Sequence, residues 1–120
     1  MMIDVSRPDT GFVALVTIRL GDPAAGQPLL DLLAGEVEQW VRFQPGFVSA
    51  NYHVSIDGTR VINYAQWSSE QAYRESFKAS PNSGSLREAI LAIPGVEGLE
   101  MTGYTLARSV AAASAAAGTV

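Results

Sequence analysis

The chain contains no cysteine and a single histidine, His53, among its 120 residues. Without thiols it forms no disulfide, and it has neither a thiolate nucleophile nor the Cys and His ligands typical of zinc and other transition-metal sites. We therefore expect no bound metal. A chain without cysteine is also compatible with the reducing cytoplasm.

Positive charge is scarce as well. The 8 Lys and Arg residues are outnumbered by 12 Asp and Glu residues, so the formal net charge is −4. Binding of nucleic acid needs a surplus of basic residues, and we expect no such partner. No apolar run approaches the roughly 20 residues that span a bilayer, and the opening residues MMIDVSRPDTG do not have the pattern of a signal peptide. These features predict a soluble cytoplasmic protein with no membrane partner.

Several common catalytic motifs are missing. The sequence has no P-loop, no Gly-rich dinucleotide turn, no EF-hand and no Ser, His and Asp set of the hydrolase type. Two carboxylates, Glu36 and Glu38, fall within a predicted helix, and we interpret them as part of its solvated face.

What the sequence does contain is a regular order of strands and helices. Apolar, β-branched runs predict strands over Gly11–Leu20, Phe47–Ile56, Thr59–Trp67 and Gly98 to about Ser109. Helical spacing predicts helices over Leu29–Gln44, from a Ser68 cap to about Ala79, and over Ser85–Ala92. Pro23 or Pro28 lies in the first turn of the first helix, and Pro45-Gly46 ends that helix.

This order predicts an α+β fold of the ferredoxin-like, split βαβ type, with a four-stranded antiparallel sheet and helices on one face. We expect a single domain over residues 1–108. An Ala-rich flexible tail is predicted over residues 109–120, because it has too few large side chains to order itself.

Asp57-Gly58 lies between the second and third strands and predicts a two-residue type I′ turn. Such a turn pairs Tyr52 with Asn63 and Val48 with Trp67, and it places all four side chains on one face of the sheet. This face carries more apolar residues than the other, so we expect the helices to cover it.

Small residues on this face, Ala50 and Ala65, leave space between the larger side chains and indicate the wall of a pocket. A buried amide without a partner costs about 1–3 kcal/mol, so Asn63 requires a partner from the protein, from water or from a ligand. In one interpretation Asn63 bonds to Tyr52 and Trp67 is an ordinary core residue. In the other, the three side chains form a ligand site.

Further aromatic and polar side chains converge on the same region. Tyr73 and Phe77 share a face of the second predicted helix at i, i+4, and Arg87 interrupts an apolar stripe of the third. Taken alone, an Arg at this position is more often a surface residue that pairs with an acid. The combined set suits a flat, oxygen-bearing aromatic ligand better than a phosphate or a metal.

The opposite face of the hairpin carries His53, Ile62, Tyr64 and Gln66. Its aromatic content predicts a homodimer packed sheet to sheet. We interpret His53 as a hydrogen-bonded residue of that interface in preference to a base.

The stretch QPGFVSANYHVSIDGTRVINYAQWSSEQAYR (Gln44–Arg74) resembles the antibiotic biosynthesis monooxygenase family, in particular its small cofactor-independent members from aromatic polyketide pathways. The most specific parts are the Pro-Gly-Phe turn, N-Y-A-x-W-x-S-x-x-A-Y and L-R-E-A, and the similarity extends from Gly11 to about Gly98. The resemblance implies a dimeric ferredoxin-like α+β barrel without metal, flavin or haem.

The resemblance also implies a set of site residues. The implied catalytic residues are Asn63, Trp67, Tyr73 and Arg87, and Tyr52 is an implied pocket residue. We add Phe77 and His53 as predicted substrate-binding residues. A haem-degrading branch of the same superfamily would have a His where Phe77 stands, so we do not expect haem oxygenation.

The implied activity is a cofactor-independent monooxygenase that uses O₂ to oxidise an anthrone or phenolic aromatic polyketide intermediate to a quinone. Two alternatives stay open. A polyketide cyclase on the same fold would not consume O₂, and a non-catalytic dimeric binding protein would hold an aromatic ligand without turnover.

Overall fold

A computed structural model of the protein describes residues 11–79 and 83–113. Its strands are β1 (Phe12–Leu20), β2 (Phe47–Val54), β3 (Arg60–Trp67) and β4 (Val96–Tyr104). Its α-helices are α1 (Gly26–Gln39), α2 (Glu70–Ala79) and α3 (Ser83–Leu91), and single 3-10 turns at Pro23–Ala25 and Val41–Phe43 flank α1. The strands form one four-stranded antiparallel sheet in the order β2-β3-β1-β4. The predicted ferredoxin-like fold is therefore confirmed.

The last strand ends earlier than predicted, at Tyr104, and residues 105–112 are exposed and have no regular structure. Most of the predicted tail, residues 114–120, lies outside the described residues, as do residues 1–10 of the predicted domain. In the described ranges no helix combines the length and the apolar character needed to cross a membrane.

The hydrophobic core lies between the sheet and the helices, in two clusters. The first lies near the end of β1 and the start of β3 and contains Ile18, Leu29, Leu33, Val61 and Ile90. The second lies beside it and contains Phe12, Ala14, Val41, Ala65 and Trp67. The helices cover the face predicted from the hairpin, and the candidate site lies between these clusters.

The β2–β3 hairpin keeps the predicted register over most of its length, and Tyr52 pairs with Asn63. Its turn is wider than the predicted two-residue turn. The N–H of Gly58 donates to the carbonyl of Ser55 at 2.9 Å, so the chain reverses over four residues, with φ +74° at Gly58. The Asp57 carboxylate stabilises this wider turn by accepting hydrogen bonds from the Thr59 and Ser55 hydroxyls, each 2.7 Å long. These bonds hold the pKa of Asp57 at about 2.

A β-bulge at the other end of the hairpin corrects one predicted pair. Phe47, and not Val48, lies opposite Trp67, because the register shifts between Phe47 and Ser49. The extra residue reverses the in-and-out alternation of the strand. Phe47 is therefore the residue that packs on Trp67, with ring centroids 5.3 Å apart.

The residue that caps helix α2 is one position later than the predicted cap, Ser68. The Ala72 N–H donates to Ser69 Oγ at 3.0 Å, which makes Ser69 the capping residue. The backbone N–H of Ser68 instead donates to the carbonyl of Gly46 at 2.8 Å. Ser68 therefore links the end of β3 to the turn that precedes β2 through a backbone hydrogen bond.

Gly46 is expected to tolerate no side chain. Its φ is +87°, and an added Cβ would lie 2.5 Å from Ala72 Cβ and 2.6 Å from Ser68 Oγ. A left-handed conformation costs a non-glycine residue about 1–2 kcal/mol, and the overlap adds to it, so Gly46→Ala should destabilise the fold by at least about 2 kcal/mol. Urea unfolding measures the change.

Gly35→Ala is the matched control, because Gly35 lies inside α1 and an added Cβ meets nothing within 4 Å. This variant should be stabilised by about 0.5–1 kcal/mol, since Ala is the better helix former. Equal unfolding midpoints for the two variants would contradict the strained conformation of Gly46.

Candidate active site

A cavity of about 300 Å³ lies between the sheet and the helices. Pockets that bind small molecules have volumes of about 300–1,000 Å³, so it is large enough for a small ligand. Most of its lining is apolar and comes from every strand and every α-helix, with Ala14, Val16, Leu33, Val37, Leu86, Ile90, Leu99 and Met101 among the lining residues. A mainly apolar lining of this kind is typical of pockets that bind small molecules.

The side chains that can form hydrogen bonds in this cavity are few. They are Glu36, Tyr52, Asn63, Trp67, Tyr73 and Arg87. Phe77 also lines the cavity. The structure therefore brings together all the predicted site residues except His53, and it adds one carboxylate that was not predicted.

Among the described residues, Asn63 contributes a buried, unpaired polar atom to the cavity. Its Oδ1 atom is buried and has no hydrogen-bond partner within the described part of the chain. Tyr52 pairs directly with Asn63, but its hydroxyl donates to the carbonyl of Leu33 on α1 at 3.2 Å. The interpretation in which Asn63 bonds to Tyr52 is therefore wrong, because the phenol reaches across to the helix layer. A buried acceptor left unpaired costs about 1–3 kcal/mol, which a ligand with a donor group would recover.

Trp67 anchors an aromatic wall at one end of the cavity. It is 1% exposed, and its ring centroid lies 5.3 Å from Phe47, 5.5 Å from Tyr73 and 6.0 Å from Phe77. These contacts are edge-to-face, the geometry that aromatic rings prefer. The wall is closely packed and presents ring surface to a ligand.

Two phenols border the cavity, and both are poor acids. Burial, with a smaller contribution from the charge of Glu38, raises the pKa of Tyr52 to about 12. Burial also raises the pKa of Tyr73, which the positive charge of Arg74 opposes. Both side chains are therefore protonated at neutral pH. The Tyr73 hydroxyl is available as a hydrogen-bond donor, whereas the Tyr52 hydroxyl already donates to the carbonyl of Leu33.

Arg87 lines the cavity from α3 and is exposed to solvent. In the described ranges the single ion pair joins Arg74 to Glu70, so Arg87 has no carboxylate partner there. The alternative interpretation of Arg87 as half of a surface ion pair finds no support in these residues. Its guanidinium is placed where it can contact an anionic oxygen of a ligand.

Glu36 was missed, because it was interpreted as part of a solvated face. It is half-buried, lines the cavity and accepts a hydrogen bond from Trp40 Nε1, whereas Glu38 is exposed as predicted. A signal was present in the sequence. Glu36 follows Leu33 by three residues and precedes Trp40 by four, and both of these belong to the apolar stripe of α1.

His53 lies outside the cavity. It is exposed and pairs with Ile62, on the face of the sheet opposite to that of Tyr52. The prediction that His53 binds substrate is therefore not met in this cavity, because neighbouring residues of a strand point to opposite faces. Among residues 11–79 and 83–113, no group of three or more His, Asp or Glu side chains could hold a metal ion.

Known proteins share both this sequence and this fold. The sequence model of the antibiotic biosynthesis monooxygenase family matches residues 11–89. The chain is 42% identical over 67 residues to tetracenomycin-F1 monooxygenase of Streptomyces glaucescens, a match that covers 56% of this chain and 60% of that relative. The relative is therefore matched over less than two thirds of its length.

Two solved structures extend the comparison. A monooxygenase from the gene ActVA-Orf6 of Streptomyces coelicolor, in complex with the ligand nanaomycin D, is 46% identical with a TM-score of 0.84, over 92% of this chain and 100% of that one. SnoaB, a cofactor-independent oxygenase from Streptomyces nogalater, is 23% identical with a TM-score of 0.63, over 83% and 97% of the two chains, and shares the fold. The match across residues 11–89 and the close likeness to the Streptomyces coelicolor protein show that this chain belongs to the antibiotic biosynthesis monooxygenase family.

Proposed function

We propose that this protein is a cofactor-independent monooxygenase that oxidises an anthrone or phenolic aromatic polyketide intermediate to a quinone with O₂. The observation that carries the proposal is the unpaired Oδ1 of Asn63, buried in an apolar cavity. Phenols and carbonyls on an aromatic ring system offer the donor and acceptor that an amide requires. The family membership, tetracenomycin-F1 monooxygenase, and the nanaomycin D complex of the Streptomyces coelicolor protein support this substrate class.

The chemistry follows from the substrate. O₂ in its triplet ground state reacts slowly with closed-shell molecules, but loss of a proton from the central CH₂ of an anthrone leaves an electron-rich carbanion. One electron passes from this anion to O₂, the two radicals combine into a peroxide, and loss of water leaves the carbonyl of the quinone. The anion itself reduces O₂, so the protein has to stabilise the anion, exclude water and admit O₂.

The cavity residues divide these tasks. Asn63 Oδ1 accepts a hydrogen bond from a substrate hydroxyl, and the amide nitrogen donates to the neighbouring enolate oxygen. Arg87 and Tyr73 donate to the substrate oxygens and stabilise their negative charge, the tyrosine as a neutral phenol. Trp67 orients the substrate and donates from its indole, while Phe77 contacts its ring surface. Tyr52 supplies a further hydrogen bond or a proton to the peroxide when its hydroxyl turns from the carbonyl of Leu33 toward the substrate.

The proposed enzyme acts as a homodimer through the face of the sheet that the helices leave uncovered. This face carries His53 and continues into Tyr104 and Leu106, which are 50% and 48% exposed. All the residues invoked lie within the domain proposed for residues 1–108. Sedimentation of the purified protein at several concentrations tests the dimer.

Oxygen uptake with a hydroxylated anthrone tests the activity. Metal-stripped, flavin-free wild-type protein should consume O₂, and the product should gain one labelled oxygen atom from ¹⁸O₂. Arg87→Gln should lower kcat/KM about tenfold to a hundredfold, the value of a hydrogen bond to a charged group. Arg74→Gln is the matched control, because Arg74 is 73% exposed and its partner is Glu70. It should keep the wild-type rate.

Other results would overturn the proposal. Dependence of the rate on added flavin or iron would contradict the cofactor-free reaction. Conversion without O₂ uptake would identify a cyclase, and stoichiometric binding without product would identify a binding protein. Equal rates for Arg87→Gln and Arg74→Gln would remove Arg87 from the site.

A further inference from the structure

We propose that Glu36 is the base that removes the proton from the substrate, and that Trp40 positions its carboxylate. The inference deepens the proposed function, on which it rests, by assigning the group that forms the reactive anion. Neither the family match nor the relatives' descriptions assign a role to this residue.

The first support is the position of Glu36. It projects from α1 into a cavity whose other polar groups come from β2, β3, α2 and α3. Asn63 belongs to the sheet layer and Glu36 to the helix layer, so a flat substrate between the two layers is reached from both sides. The amide can hold a ring oxygen while the carboxylate meets a carbon of the same molecule.

The second support is the way the carboxylate is held. Trp40 Nε1, one turn further along, donates to Oε2 of Glu36. Within the described residues Oε1 has no hydrogen-bond partner, and no cation forms an ion pair with Glu36. One oxygen is thus fixed and the other is free to accept a proton, which is the arrangement that a general base requires.

The third support is that the other polar side chains of the cavity cannot act as the base. Tyr52 and Tyr73 keep their protons, since burial raises both pKa values. Arg87 remains a cation, and the amide of Asn63 is not basic. Among the described residues that line the cavity, Glu36 is the carboxylate that can accept a proton.

The proposed step conserves atoms, protons and electrons. The C–H bond of the central CH₂ breaks, an O–H bond forms on Glu36, and the electron pair remains on the substrate as an enolate. After O₂ has taken one electron and the C–O bond has formed, the peroxide anion recovers the proton from Glu36. Loss of water then breaks the O–O bond and the second C–H bond. One oxygen atom of O₂ enters the quinone, the other leaves in water, and the carboxylate is restored.

Proton exchange without O₂ isolates this step. Under anaerobic conditions in D₂O, wild-type protein should accelerate exchange of the central CH₂ protons of a hydroxylated anthrone, followed by NMR. Glu36→Gln should reduce the protein-dependent exchange rate at least about a hundredfold, within the range for loss of a general base. The glutamine carbonyl can still accept from Trp40, so this variant should fold as the wild type does. Trp40→Phe should give an intermediate rate.

Glu38→Gln is the matched control. It removes the same charge from the same helix at an exposed position, and it should exchange at the wild-type rate. A smaller variant gives a second test, since Glu36→Ala leaves space in which added formate should restore part of the exchange. Formate should not accelerate exchange by Glu36→Gln to the same extent.

The outcomes separate this inference from the proposed function. If wild-type protein consumes O₂ but Glu36→Gln exchanges protons as fast as wild type, Glu36 is not the base and the oxygenase proposal stands. If wild type accelerates exchange through Glu36 but consumes no O₂, the base is supported and the oxygenase proposal fails. Equal loss in Glu36→Gln and Glu38→Gln would indicate a general effect of charge and would also overturn the inference.

Discussion

Replacing Asn63 by Leu is expected to give a protein that is more stable than the wild type and that has lost most of its oxygenase activity. Leu has nearly the shape of Asn but no polar atoms, and the buried Oδ1 of Asn63 has no partner among the described residues. Removing this atom should therefore recover about 1–3 kcal/mol, the cost of a buried group left unpaired.

The activity should move in the opposite direction. In the proposed reaction the amide binds a substrate hydroxyl and the enolate oxygen, and a lost donor of this kind typically costs about 10²–10³ in kcat. Urea unfolding and oxygen uptake with the same anthrone probe measure the two changes on the same preparation. Opposite shifts are the sign of a residue kept for function at the expense of stability.

Asn51→Leu provides the control within the same hairpin. The Asn51 side chain donates to Ser49 Oγ and to the Tyr64 carbonyl, each at 3.0 Å. Its replacement should destabilise the fold by about 1–3 kcal/mol, because these partners lose their bond, and should leave kcat/KM unchanged. A clear loss of stability in Asn63→Leu would mean that Asn63 has a structural partner and would remove the main support for the ligand site.

Trp67→Ala is expected to have the largest effect on stability, because Trp67 is the largest fully buried side chain among the described residues. Truncation of a buried Trp or Phe to Ala costs about 3–5 kcal/mol, since it leaves a cavity in addition to the lost transfer free energy. Here the contacts with Phe47, Tyr73 and Phe77 are lost as well. Domains are stable by only about 5–15 kcal/mol, so this variant should be close to unfolding at ambient temperature.

Two comparisons make the result interpretable. Trp40→Ala removes the same side chain from a half-buried position and should cost clearly less. Trp67→Phe keeps an aromatic ring against Tyr73 and should stay folded. Its rate of oxygen uptake therefore measures the contribution of the indole to the reaction. If Trp67→Ala and Trp40→Ala unfold at the same urea concentration, the aromatic wall is not a determinant of the fold.

Much of the fold was predictable, because its signals are local in the chain. Apolar, β-branched runs predicted the strands, and helical spacing predicted the helices. Asp57-Gly58 predicted the hairpin register that pairs Tyr52 with Asn63, and this register is observed although the turn is wider than predicted. Register then placed Trp67 on the face shared with these two residues. The candidate site could be gathered in advance because it depends mainly on which face of an element a residue occupies.

The remaining features depend on residues that are distant in sequence. The bulge at Val48 reassigned the partner of Trp67 to Phe47, and it has no marker in the local pattern of the strand. The hydroxyl of Tyr52 could have met Asn63, but packing of α1 against the sheet offered it the carbonyl of Leu33. The packing of α1, which is distant from Asn63 in the chain, therefore left the Asn63 side chain without a hydrogen bond from Tyr52.

Glu36 and His53 also illustrate the difference between features set by the local sequence and features set by packing. Periodicity placed Glu36 on α1 beside the apolar stripe, but the docking angle of the helix on the sheet determined that this carboxylate lines the cavity. For His53, the alternation of side chains along β2 is enough to place the imidazole on the face of the sheet opposite to the cavity. The order of elements and the facing of each side chain thus follow from short-range periodicity. The hydrogen-bond partners and the space left for a ligand arise only when the layers pack, because both depend on atoms brought together from distant parts of the chain.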